Sequence, residues 1–235
     1  MSEIMNPILQ AAKALWHDHY NVETNWYAFW FPSALWVGCW LHAKFISKKD
    51  FARCWSLHTL HHVGAITLGS LSLYYDDDSV FNERNTILWS LPYFIVDIID
   101  MLLMGHVLYV GHGVACLLLG LANYNLPLLR SLRMNSKATY IETSSILLYQ
   151  VKRFRKPWLF GIFAVVYTLC RIIWIPFMVK DLLNHGMEYT SPVLICMGLF
   201  YCLNIHWYIK IVQIAVNGDG KKDNNDKNYK AKKKD

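Results

Sequence analysis

This sequence predicts an all-α, multi-pass transmembrane helical bundle of about seven spans, and three observations lead there. Hydrophobic residues make up 54% of the 235 positions and come in long blocks without the alternation of a soluble domain. Charged residues amount to only 17% and gather mostly between the blocks. Lysine and arginine are dense in some connecting loops and sparse in others, which is the pattern that orients membrane helices. The formal charge of +6 is therefore read as a topology signal, and no nucleic-acid partner is expected.

Taken in order, residues 1–50 form an N-terminal segment and the first span. The first 25 residues are mixed, with an interfacial helix expected near Pro7 to Trp16. They contain no basic start followed by an apolar core and a small-residue cleavage site, so the first span is expected to act as its own insertion signal. That span is Trp26 to Ile46, followed by Lys44, Lys48, Lys49 and Arg53 at its end and beyond. Cys54 to Tyr75 is the second: about one membrane-helix length without Asp, Glu, Lys or Arg, closed by Asp76, Asp77 and Asp78. Thr86 to Gly105 is the third, Val110 to Leu129 the fourth, Trp158 to Val179 the sixth and Pro192 to Ala215 the seventh. The fifth, Ala138 to Val151, is short for a crossing, and six spans remain if it is re-entrant. Residues 217–235 are nearly devoid of apolar side chains and are expected to be a disordered basic tail.

With seven spans and a cytosolic C-terminus, 15 basic residues lie on the cytosolic side against 6 opposite. The loop from Arg130 to Lys137 runs against this assignment. Cys39, Cys54, Cys116, Cys170, Cys196 and Cys202 all fall within or beside spans and form no CxxC pair. Neither a disulfide framework nor a zinc site is indicated, and no metal or cofactor is expected.

An ionisable residue at a helix centre costs about 2.5 to 3.5 kcal/mol on insertion scales, so each one here asks for a reason. His58, His61 and His62, at i, i+3 and i+4, share one face of the second span. Asp97 and Asp100 share a face of the third; Glu142 lies in the fifth and Arg171 in the sixth, while His206 and Lys210 lie in the seventh. The plain alternatives are histidines that only hydrogen-bond neighbouring helices and an ion pair between Arg171 and one carboxylate. His58, His61 and His62 also spell HxxHH, a box used by membrane di-iron enzymes. The other seven histidines supply no second box of this kind, and that reading is set aside. There is no GxSxG and no nucleotide-binding glycine loop.

Read together, the segments LHTLHH, PYFIVDIID, YVGHGVA, YIETSSILLYQ, VVYTLCRII and LNIHWYIKI resemble the TLC-domain family, and they run in family order from about Phe51 to Ile214. The domain is accordingly placed at residues 51–216. The resemblance implies a helical bundle around a lipid-accessible cavity, residence in the endoplasmic reticulum or related membranes, and a role in making, moving or sensing lipids. Its ceramide synthases carry a histidine pair where this chain has His112 alone, and an Asp pair where it has Glu142, Thr143, Ser144 and Ser145. The reading is thus a lipid-homeostasis protein that binds, senses or transports a membrane lipid. The alternative is an acyl-CoA-dependent N-acyltransferase of the ceramide synthase type, acting on a sphingoid base. Candidate catalytic residues are His61, His62, His112 and Asp97; candidate substrate-binding residues are His58, Asp100, Glu142, Arg171 and His206. Lys232 and Lys233 match a dilysine signal, read by coat machinery, for retrieval to the endoplasmic reticulum.

Overall fold

The computed structural model describes residues 26–46, 54–75, 81–154 and 156–217. The region near Pro7 to Trp16, the loop from Asp76 to Asp78 and the tail with Lys232 and Lys233 lie outside them. All regular structure among the described residues is helical. The elements are α1 (Trp26–Leu41), α2 (Leu60–Tyr74), α3 (Glu83–Leu103), α4 (Val107–Asn125), α5 (Pro127–Ser131), α6 (Met134–Thr139), α7 (Glu142–Phe154), α8 (Pro157–Tyr167), α9 (Trp174–Asn184) and α10 (Pro192–Asn217). Three wider π-helical turns interrupt or extend them: His42–Ile46 after α1, Cys54–Thr59 leading into α2, and Thr168–Ile173 joining α8 to α9.

Four helical runs among the described residues are long and apolar enough to cross a membrane: Glu83–Leu103, Val107–Asn125, Pro157–Asn184 and Pro192–Val216. The first two predicted spans have α-helices of 16 and 15 residues, each continuous with a π-helical turn. The expected fifth span is broken. Its residues divide between α6 and the 13-residue α7, which at 1.5 Å per residue reaches about 20 Å against a hydrocarbon core of about 30 Å. The break puts Glu142 at the start of a helix and in the middle of the bundle.

Local chemistry explains where the helices stop. Asn82 accepts the Asn85 N–H at 2.9 Å and starts α3 at Glu83, three residues earlier than hydropathy alone suggests. At its other end Gly105, with φ of 71°, adopts the left-handed conformation that lets His106 N–H reach the Met101 carbonyl at 3.0 Å. Gly186 repeats the device after α9, with Met187 N–H on the Leu182 carbonyl at 3.1 Å. Helix α4 ends at Asn125, short of the predicted Leu129, because Leu126 is extended and Pro127 opens α5.

Helix α3 is the hub. It packs against α1, α2 and α4, while α4 also carries α10 and α2 carries α6 and α7. Over half of its apolar window is buried (56%), against 22% for α10. Close approach needs small residues. A Cβ on Gly64 would lie 2.4 Å from the Trp89 ring, and one on Gly120 would lie 2.7 Å from Leu91. The α1–α3 contact is fastened by the fully buried Trp36, whose indole N–H donates to the Trp89 carbonyl at 2.8 Å. Leu102, Leu103, Val165, Phe177 and Leu199 point outward, as lipid-facing residues do.

Candidate functional site

Where α2, α3, α7, α10 and the α8–α9 turn meet, the buried polar side chains form one network. The first contributors are α2, which buries His61 and His62, and the π-helical turn leading into it, which buries His58. Thr168–Ile173, the π-helical turn, turns Arg171 inward, where it is 5% exposed. Such turns are frequent at functional sites, and two of the three here carry or adjoin network residues.

Glu142 is the centre of the network. Its carboxylate lies 2.9 Å from His62 Nδ1 and 3.8 Å from Arg171 Nη2, and it accepts the Ser145 hydroxyl at 3.0 Å. Arg171 in turn donates from Nε to Ser144 at 2.7 Å, from Nη2 to Ser145 at 2.7 Å, and from Nη1 to Asn204 Oδ1 at 2.8 Å. Asn204 is held by its own amide on the Phe200 carbonyl at 2.8 Å, and Tyr167 donates to the Asn204 carbonyl at 3.0 Å. A buried guanidinium is thus balanced by one carboxylate and three neutral acceptors, which is how a bundle tolerates a charge.

On the other side the chain of contacts runs from His62 Nδ1 to His61 Nδ1 at 3.3 Å, and from His61 Nε2 to Ser90 Oγ at 3.0 Å. With Glu142 ionised beside Arg171, His62 Nδ1 carries the proton that faces it, and that single N–H is shared with the more distant His61 Nδ1. In the neutral tautomer that accepts there, His61 carries its proton on Nε2 and donates to Ser90. In this arrangement His61 is not a base toward Ser90. The His61 ring stacks on Tyr93 at 3.6 Å, and His58 meets the Tyr93 hydroxyl at 2.8 Å and stacks on Tyr149 at 5.2 Å.

Beside this network is a cavity of about 100 Å³. His61, Ser90 and Glu142 reach its wall from the network; the facing side is apolar, built of Leu119, Met178, Leu182, Val193, Met197 and neighbours. An apolar hollow with a few convergent polar groups along one wall is the form of a ligand site. Among the described residues no group of three His, Cys, Asp or Glu side chains is arranged to hold a metal ion.

The predicted residues divide. His61, His62, Glu142 and Arg171 come together as one network. His58 and Asp97 extend it, 3.9 Å apart, on the α3 side. Asp97 and Asp100 part company, for Asp100 accepts the Trp40 indole N–H at 3.0 Å and ties α3 to α1 without reaching the cavity. His112 sits behind the cavity wall, stacked on Phe200 at 5.1 Å and with Nε2 3.7 Å from Cys116 Sγ. Its buried Nδ1 has no hydrogen-bond partner among the described residues.

His206 stands apart from the network. It lies exposed on the outer face of α10, and the buried polar residue of that helix is Asn204. Two positions at about 100° each carry a side chain to the far side of a helix. Sequence reading also passed over Ser90, Tyr93, Tyr149 and Tyr167. Tyr93 precedes Asp97 by one helical turn, and Tyr149 follows Glu142 by two. That spacing was the available signal.

Fold and site together define a multi-pass helical membrane protein with a polar network beside an apolar cavity. A family model narrows the class: the TLC domain of the TRAM, LAG1 and CLN8 type matches residues 75–213, more than half of the chain. The chain belongs to the TLC-domain family, whose members are membrane proteins with lipid-related roles. The histidine helix α2 precedes the matched residues. No curated protein and no solved structure shows significant similarity to this chain.

Proposed function

We propose that this protein engages a membrane lipid at the central cavity, which has room for part of the molecule, with the lipid's polar end against His61, Ser90 and Glu142, and acts thereby in lipid homeostasis. One observation carries the reading: the cavity is mostly apolar on the face built by α4, α9 and α10, where Asn123 is the polar exception, and polar where the buried network meets it. The polar groups are already mutually satisfied, as suits a site that holds its shape between ligands. Lipids extracted from the purified protein and identified by mass spectrometry test it. One lipid class should be enriched over the surrounding membrane, and Met197→Trp, which fills the cavity, should remove it. Equal lipid profiles for the two proteins would reject the reading.

A second reading, acyl-CoA-dependent N-acylation of a sphingoid base, is supported by the His62–Glu142 pair at 2.9 Å, since a carboxylate that orients a histidine is the setting of a general base. Against it stands the bonding of His61, whose Nε2 is taken up by Ser90 at 3.0 Å. Microsomes holding the protein, given labelled acyl-CoA and a sphingoid base, would yield acylated amine that disappears in His62→Ala. Residence in the endoplasmic reticulum, with Lys232 and Lys233 contacting coat machinery, belongs to the same proposal. Replacing both lysines with serine should move the protein to the Golgi or cell surface; unchanged location would refute the signal.

A further inference from the structure

Away from the polar network, at the end of the Pro157–Asn184 run, a second pocket of about 320 Å³ opens between α6 and α9. Lys137, Trp174, Phe177, Lys180 and Asp181 are among its lining residues. Lys137 Nζ lies 2.7 Å from Asp181 Oδ2, and the Lys137 carbonyl accepts the Trp174 indole N–H at 3.0 Å, so the floor of the pocket is fixed. Lys180, exposed on the rim, makes no ion pair among the described residues. Two ammonium groups against one carboxylate leave the pocket one positive charge in excess.

Depth adds the second element. Asp181 and Asn184 stand in the last turn of a membrane-length run, where headgroups lie, and Phe177, one turn before Asp181, is 58% exposed toward the lipid side. Tryptophan is at home at that level. We propose that this pocket is a separate site for the phosphodiester headgroup of a membrane phospholipid. Lys180 and Lys137 face the phosphate, and the acyl chains run along Phe177. A monoanionic phosphodiester cancels the excess charge, and the apolar rim distinguishes a lipid from a free anion. Met178 lines both this pocket and the central cavity, so the two sites lie back to back.

The test is native mass spectrometry of the full chain in detergent, with phosphatidylglycerol or a diacylglycerol of the same chains added. Phosphatidylglycerol should be retained and diacylglycerol not. Lys137→Gln with Lys180→Gln should weaken retention about thirtyfold, at ~1 kcal/mol for each lysine. Because Lys137→Gln also breaks the Asp181 pair, Lys180→Gln alone is run beside it and should weaken retention about fivefold with the melting temperature unchanged. Met197→Trp, in the central cavity, should leave this binding intact, which separates its failure from that of the lipid-cavity reading. Equal retention of both lipids, or of phosphatidylglycerol by wild type and Lys180→Gln, overturns the proposal. Displacement by millimolar inorganic phosphate would do so too, assigning the pocket to a free anion.

Discussion

Two glutamates open helices in this bundle, and their surroundings differ. Glu83, at the start of α3, is 3% exposed and among the described residues takes neutral donors: Ser136 N–H at 2.9 Å, the Ser136 hydroxyl, the Ser72 hydroxyl at 3.2 Å and the Asn135 backbone. Its neighbours complete a closed knot. Asn135 donates to Thr86 at 3.1 Å, and Arg133, with φ of 53°, sends its guanidinium to the carbonyls of Ser72 and Tyr75 and so caps α2. Glu142, at the start of α7, shares a histidine, an arginine and a serine, and it borders the cavity. Saturation by neutral hydroxyls makes a latch; a carboxylate shared among ionisable groups at a cavity wall makes a site. The difference lies in the partners, because both residues are acids at helix starts, Glu83 buried and Glu142 half-buried, where the helix dipole favours them.

The comparison breaks most sharply at Arg171. Arg171→Met removes the donor to Ser144, Ser145 and Asn204 and leaves Glu142 without its guanidinium, at a cost of about 3 to 5 kcal/mol. Thermal unfolding in detergent should show a large fall in melting temperature; an unaltered midpoint would mean the network does not hold the bundle. Glu83→Gln comes next. It turns one acceptor oxygen into a donor facing Ser136 and Ser72, for about 1 to 3 kcal/mol, and should leave bound lipid unchanged. Loss of lipid from this variant would erase the distinction between latch and site.

Glu142→Gln should differ in its lipid. It leaves the buried Arg171 without its one carboxylate, at a cost of about 3 kcal/mol although the amide still accepts from Ser145 and His62, and the lipid recovered with the purified protein should fall as well. If lipid is retained in full, Glu142 is a second latch. His206→Ala should be the mildest change, with the melting temperature and bound lipid both as in wild type, because the ring lies on the outer face of α10. A loss of either would restore His206 to the site.

The bundle itself was legible from the chain because each apolar block must satisfy its backbone within its own helix, so composition alone announces spans. The ionisable residues were legible for a related reason: a charge that survives in such a block is expensive, which singled out His61, His62, Glu142 and Arg171 before any geometry was known. Glu83 escaped notice because it sits at the edge of its block, where an acid looks like ordinary loop chemistry. Asn204 escaped because a neutral amide hardly disturbs hydropathy.

Sequence by itself thus determined the helical membrane class, the family resemblance and most of the polar network, since these depend on transfer costs paid residue by residue. Tertiary structure decided the rest. The break before Glu142, the π-helical turn that points Arg171 inward and the choice of Asn204 over His206 are settled by how helices pack. A one- or two-residue change of register swings a side chain from the core to the lipid.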